Sequence, residues 1–116
     1  MATELGQLHI EDLQLGEGKA IVKGALILAH YRGTLEDGTE FDSSFKKGKP
    51  FQCVIGTGKV IKGWDQGLMG MRVGGKRKLY VPSLLAYGER QVGPLIKPHS
   101  NLLFEIELLE VLTRDD

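Results

Sequence analysis

Cysteine is almost absent from this chain. Cys53 stands alone among 116 residues, so no internal disulfide can form. Its neighbours Phe51, Val54 and Ile55 are apolar, which marks a buried thiol rather than a reactive one and permits a reducing compartment. Histidine is equally sparse. His9, His30 and His99 are scattered, with neither His-x-x-x-His nor Cys-x-x-Cys spacing, so no metal site or other cofactor is expected. No Gly-x-Ser-x-Gly elbow occurs either, and covalent catalysis has no support. An excess of one charge is also missing. Fifteen basic and fifteen acidic side chains cancel, leaving no global field to draw in nucleic acid or an anionic membrane. No apolar run approaches the roughly 20 residues of a membrane span, and residues 1–7 lack the basic and apolar regions of a secretory leader. The expectation is a soluble, cytoplasmic protein with neither nucleic acid nor membrane as partner. With no assembly element visible, it is expected to be a monomer.

What the chain does have is enough apolar content, 41% over 116 residues, for one core without staples. A single domain over residues 1–116 follows, with no repeat, linker or low-complexity tract. Residues 8–15 alternate imperfectly and read as a strand or edge segment. Residues 25–35 are rich in Leu, Ile and Tyr and run into Asp37-Gly38, a tight hairpin signal because both residues tolerate positive φ. A polar loop over 43–49 leads to a short strand at 51–55. Residues 76–81 form another strand, whose Lys76-Arg77-Lys78 reads as a solvated edge that discourages pairing. The last strand is the clearest: Leu102, Phe104, Ile106 and Leu108 share one parity, Glu105 and Glu107 the other, as in a central strand with one wet face.

Only one helix is evident. Ile61, Trp64, Leu68 and Met71 make an apolar stripe, although Gly63, Gly67 and Gly70 each weaken a helix by roughly 1 kcal/mol relative to alanine. Tertiary packing must hold it. The stripe fits a core helix whose glycines let a sheet approach closely, and it also fits the aromatic floor of a binding pocket; spacing alone favours the core. Dominant strands, hairpin signals and this helix make the class α+β, with the helix packed on one face of an antiparallel sheet.

Gly56-Thr57-Gly58-Lys59 invites a phosphate-loop reading, which fails because Cys53 and Val60 stand where glycine and Ser or Thr are required. The dinucleotide pattern fails at Ile61. What remains is an aromatic and aliphatic set with sparse polar tips, of the composition that suits a preformed apolar pocket.

The order of that set carries more than its composition. His30-Tyr31-Arg32-Gly33, the run Asp37-Gly38-Thr39-Glu40-Phe41-Asp42-Ser43-Ser44, Pro50-Phe51, Val60-Ile61-Lys62-Gly63-Trp64, Ala86-Tyr87-Gly88 and Leu103-Phe104-Glu105-Ile106-Glu107-Leu108 together resemble the FKBP-type peptidyl-prolyl cis-trans isomerases, over residues 16–111. The resemblance implies a twisted antiparallel half-barrel sheet wrapped on the Trp64 helix. Its cleft would bind the proline side of an Xaa-Pro bond in polypeptide substrates and accept tacrolimus or rapamycin. Trp64 would be the floor; Tyr31, Phe51, Val60, Ile61 and Phe104 the walls, extended by Phe41. Tyr87 and the Ile61 N–H would each donate to a carbonyl, and Asp42 would be the polar residue tied to activity. The catalytic set would then be Asp42, Tyr87, Phe104, Trp64 and Tyr31. Leu95 and Ile96 would be the contact residues of a flap over 88–98.

Departures from the family pattern are Lys47, where many members carry arginine, Lys59 and Val92 at variable rim positions, and Lys97 in place of a common flap proline. The flap is too short for an inserted chaperone domain, so the resemblance is to a minimal form. A non-catalytic adaptor or chaperone using the same cleft is the alternative reading.

Overall fold

The strand with the cleanest alternation lies at the centre of the sheet. The structure, a computed structural model, describes residues 7–114; residues 1–6 and 115–116 of the expected single domain lie outside that range. Six antiparallel strands form one sheet in the order β1-β5-β6-β2-β3, with β4 also paired to β2. They are β1 (His9–Gln14), β2 (Leu26–Leu35), β3 (Glu40–Ser43), β4 (Phe51–Val54), β5 (Lys76–Val81) and β6 (Leu102–Leu112). β6 pairs with β2 along its whole length and with β5 on its other side. Leu102, Phe104, Ile106 and Leu108 are buried, as the alternation requires. The register to β2 then shifts between Leu28 and Ala29, leaving Leu109 without an opposite number. This bulge flips the parity, so Val111 is the next residue to turn inward.

β1 pairs only with β5, and all six of its residues are exposed, so it is the true edge. Lys76-Arg77-Lys78 is therefore not an edge, contrary to the sequence expectation: β5 is paired on both sides. Arg77 shares the parity of buried Leu79 and Val81 and turns toward the helix α2 (Lys62–Gly67). Its Nη1 donates to the carbonyls of Gly67 (2.9 Å) and Met69 (3.2 Å), and its Nε to Asp12 on β1 (2.7 Å). A cation at a helix C-terminus satisfies carbonyls that the helix leaves open. A charge run that looks solvated thus ties two strands and α2 together.

The other flank of β2 is shared. β4 pairs with Leu26–Ala29 and β3 with Arg32–Thr34, and between them the chain leaves the sheet. The polar segment expected as a loop makes one helical turn there, α1 (Ser44–Lys47), capped by the Ser43 side chain on the Lys46 N–H and closed by Gly48 at φ 76°. The Ser44 hydroxyl, buried, takes up the ladder position the chain vacates, accepting from the Tyr31 N–H at 2.7 Å.

α2 is short because its glycines serve the sheet. A Cβ on Gly63 would fall 2.4 Å from Val81 Cγ1, and one on Gly67 2.9 Å from Leu79 Cδ2. Leu68 and Met71 continue the buried stripe past the end of the helix. Gly63→Ala is expected to lower stability by about 1–3 kcal/mol despite alanine's better helix propensity, because fully buried, β-branched Val81 has nowhere to go. Thermal unfolding checks it; an unchanged or raised Tm would mean that α2 can lift away from β5 freely. No helix among the described residues is long and apolar enough to cross a membrane.

Candidate functional site

Ring geometry defines the site. Trp64 on α2 is 4% exposed and meets three rings carried by three different strands. Tyr31 of β2 lies 5.2 Å away at 87°, Phe104 of β6 at 5.5 Å and 86°, and Phe51 of β4 at 5.8 Å and 85°. Edge-to-face packing of this kind suits the ring quadrupoles and locks each rotamer through its neighbours. The indole Nε1 is buried with no hydrogen-bond partner among the described residues. Phe41 of β3 extends the wall against Phe104 (5.7 Å, 87°), in space that exists because position 33 is glycine: a Cβ there would sit 2.6 Å from the Phe41 ring.

These rings enclose one side of a cavity of about 120 Å³, which Asp42, Val60, Ile61 and Tyr87 complete. A single water needs only about 10–15 Å³ on this measure, so the space suits a small ring, with the rest of a ligand lying over the rim. Nine of the residues singled out from sequence meet here. Leu95 and Ile96 do not line the cavity: Ile96 is 5% exposed and part of the core, while Leu95 faces solvent at 41%. The Val92–Ile96 bridge that closes the loop tip orients them in this way.

One polar cluster stands at the cavity wall. The Tyr31 hydroxyl donates to Asp42 Oδ2 in a short hydrogen bond. Lys47 Nζ lies 3.1 Å from Asp42 Oδ1, which also accepts from the Ser43 N–H at 2.9 Å. Desolvation is the largest single influence on Asp42 and pushes its carboxyl up, but the Tyr31 bond, Lys47 and the Ser43 N–H together hold it below the ordinary 3.8. Burial, then the Asp42 hydrogen bond and charge, push the Tyr31 phenol well above its ordinary 10.0. The pair is therefore an ionised acceptor and a neutral donor at every working pH.

The sign of each shift fixes a pH profile. Asp42 contributes stability that is full above pH 3.8 and is lost as pH falls through its lower folded value, a direction that exposed Asp37 and half-buried Glu40 share. Tyr31 contributes stability that is full below pH 10.0 and is lost as pH rises above it, joined by Tyr80. Activity should be flat between about pH 5 and about pH 9, with stability falling only outside it. A rate profile inflecting near neutrality would show that another group governs the site.

Two further features complete the rim. The Tyr87 hydroxyl and the Ile61 N–H have no hydrogen-bond partner among the described residues, so both donors are available. Asp65, one residue after Trp64, accepts from the N–H groups of Gly56 (2.7 Å) and Gly58 (3.0 Å), both at positive φ. It thereby clamps the loop carrying Val60 and Ile61 onto α2. Sequence reasoning missed Asp65 and Ser44; a carboxylate within reach of a Gly-x-Gly turn is the signal that finds the first. Desolvation, and then the charge of Asp65, push the Cys53 thiol up to about 11, and it lies outside the cavity.

Comparison with known proteins places this geometry. A family profile described as FKBP-type peptidyl-prolyl cis-trans isomerase matches residues 17–109. The chain is 55% identical over 107 residues to the FK506-binding protein of Neisseria meningitidis serogroup A, covering 92% of this chain and 98% of that protein. It is 48% identical over 123 residues to the human peptidyl-prolyl cis-trans isomerase FKBP2, covering 100% of this chain and 87% of that one. The crystal structure of AtFKBP13 superposes with a TM-score of 0.85 at 48% identity, over 90% of this chain and 93% of that one.

Proposed function

Because the chain belongs to the FKBP-type peptidyl-prolyl cis-trans isomerase family, we infer that its ring-walled cavity receives the proline ring of an Xaa-Pro segment and lowers the barrier to rotation of the preceding bond. That barrier is about 18–20 kcal/mol, and it exists because twisting the amide destroys its resonance. A planar amide separates charge more than a twisted one. Water therefore stabilises the planar ground state more, and an apolar wall of Trp64, Phe51, Tyr31 and Phe104 removes that preference. No bond to the enzyme is required. Each tenfold of acceleration corresponds to about 1.4 kcal/mol of differential stabilisation.

Polar groups hold the substrate in register. The free Tyr87 hydroxyl and Ile61 N–H donate to substrate carbonyls on either side of the ring, restraining the flanking chain while the central bond turns. Asp42, ionised and fixed by Tyr31 and Lys47, sets the electrostatic environment at one wall. The single observation that carries this reading is the mutual perpendicular packing of Trp64 with three rings around a space sized for a small ring. The relatives' description as FK506-binding supports the same cleft as a site for tacrolimus.

The test is cis-to-trans conversion of a short Leu-Pro-Phe peptide with and without tacrolimus. Acceleration abolished by the drug supports the reading. Tight drug binding without acceleration would make the cleft a proline-recognition site of an adaptor, and absence of both would remove the cavity assignment.

A further inference from the structure

A second, larger groove opens off the cavity. It has a volume of about 590 Å³ and shares Val60, Ile61 and Tyr87 with the cleft, so a polypeptide seated on those residues must continue into it or away from it. Its charge is one-sided. Lys59 from the loop before α2, Lys62 at the start of α2 and Arg90 from the loop after β5 line it, and no acidic side chain does. Among the described residues none of the three makes an ion pair. Glu89, next to Arg90 in sequence, does not line the groove, and Asp65, three residues after Lys62, is engaged by the Gly56 and Gly58 N–H groups. Since the whole chain is formally neutral, this is a local field and not a general excess of base. Leu84, 78% exposed, adds an apolar shelf on which the methylene stem of a side chain can lie.

We propose that the groove formed by Lys59, Lys62 and Arg90 selects substrates, so that the enzyme turns Xaa-Pro bonds fastest where aspartate or glutamate lies within about two residues of the proline. An extended chain advances about 3.3 Å per residue, so two residues bring a carboxylate from the cleft into the groove, inside the roughly 8 Å over which physiological salt leaves charges in contact. The cations are solvated, so each pairing is modest and the selection is graded rather than absolute. This inference rests on the isomerase reading of the cleft.

The experiment compares peptides that differ only in Glu, Gln or Lys at each of the two positions before and after the Leu-Pro pair. kcat/KM is measured at about 20 mM and about 500 mM salt, for the native chain and for the triple variant Lys59→Gln, Lys62→Gln, Arg90→Gln. The quantity read is the Glu-to-Lys ratio within each protein, which does not depend on the variant's absolute rate. The expected result is a ratio of about three to ten at low salt for one or more positions, falling toward one at high salt and in the triple variant. Equal rates for the three peptides on the native chain at low salt would overturn the proposal, as would a ratio that survives in the triple variant. The neutral Gln peptide separates the two readings: turnover of it without charge preference sinks only the groove, and no turnover of any peptide sinks the isomerase reading and the groove with it.

Discussion

Trp64→Ala is expected to lower stability by about 3–5 kcal/mol, the usual range for deleting a buried tryptophan, and to lower the Tm by roughly 15 °C in a domain of this size. The argument is geometric. Trp64 is the only residue of α2 that touches three rings from three strands, so its removal leaves Tyr31, Phe51 and Phe104 without the surface that fixes their rotamers. Loss of activity follows even where the variant remains folded, because the walls no longer hold one shape. Calorimetry, with activity measured well below the transition, checks both parts. A Tm drop of less than about 5 °C would mean the rings support one another without the indole. Retained activity in a folded variant would remove Trp64 from the floor of the site.

The second large effect concerns the polar wall. Tyr31→Phe removes the donor that helps keep Asp42 ionised, and Asp42→Asn removes the charge that Tyr31 and Lys47 face. Each is expected to lower kcat/KM about tenfold, or about 1.4 kcal/mol. If the hydroxyl and carboxylate act as a unit, the double variant is no worse than either single one. Additive losses would show that the two residues contribute separately. The stability coupling should be smaller, near 1 kcal/mol, because the Asp42 side chain is 32% exposed and solvent screens it. The pH profile of the Asp42→Asn variant adds an independent readout: its stability should fall less on the acid side than that of the native chain, since the missing carboxylate is one of the groups that titrate there.

The elements legible in the sequence are those whose signals are local. β6 declares itself by strict alternation, the β2–β3 turn by Asp37-Gly38, and the close approach of α2 to the sheet by Gly63 and Gly67. The nine cavity residues were legible for a different reason, as a series of motifs in a fixed order, since no single stretch of chain contains the site. What was not legible depends on distant partners. The bulge at Leu109 is set by register against β2, about 80 residues away in sequence. Arg77 reads as a surface charge until the end of α2 is brought beside it. Ser44 lies in a polar run with nothing to mark it, because its role is to fill a gap in a ladder that exists only once β3 and β4 have both docked on β2. Leu95 and Ile96 were assigned as a contact pair by resemblance, and here adjacent positions on a bridged loop turn them in opposite directions, one outward and one into the core.

The central place of β6 also bears on how the chain comes into being. Synthesis runs from the N-terminus, so β6 is made after the other five strands, yet β2 and β5 do not pair with each other and are joined in the sheet only through it. A nascent chain emerging from the ribosome can close the β2–β3 hairpin early, but the sheet cannot join until residues 102–112 have cleared the exit tunnel. Until then the edges of β2 and β5 that pair with β6 wait without their ladder partner, and assembly is a late event governed by long-range pairing. An enzyme assigned to easing the slow turns of other chains is itself built so that its sheet joins only once β6 is in place.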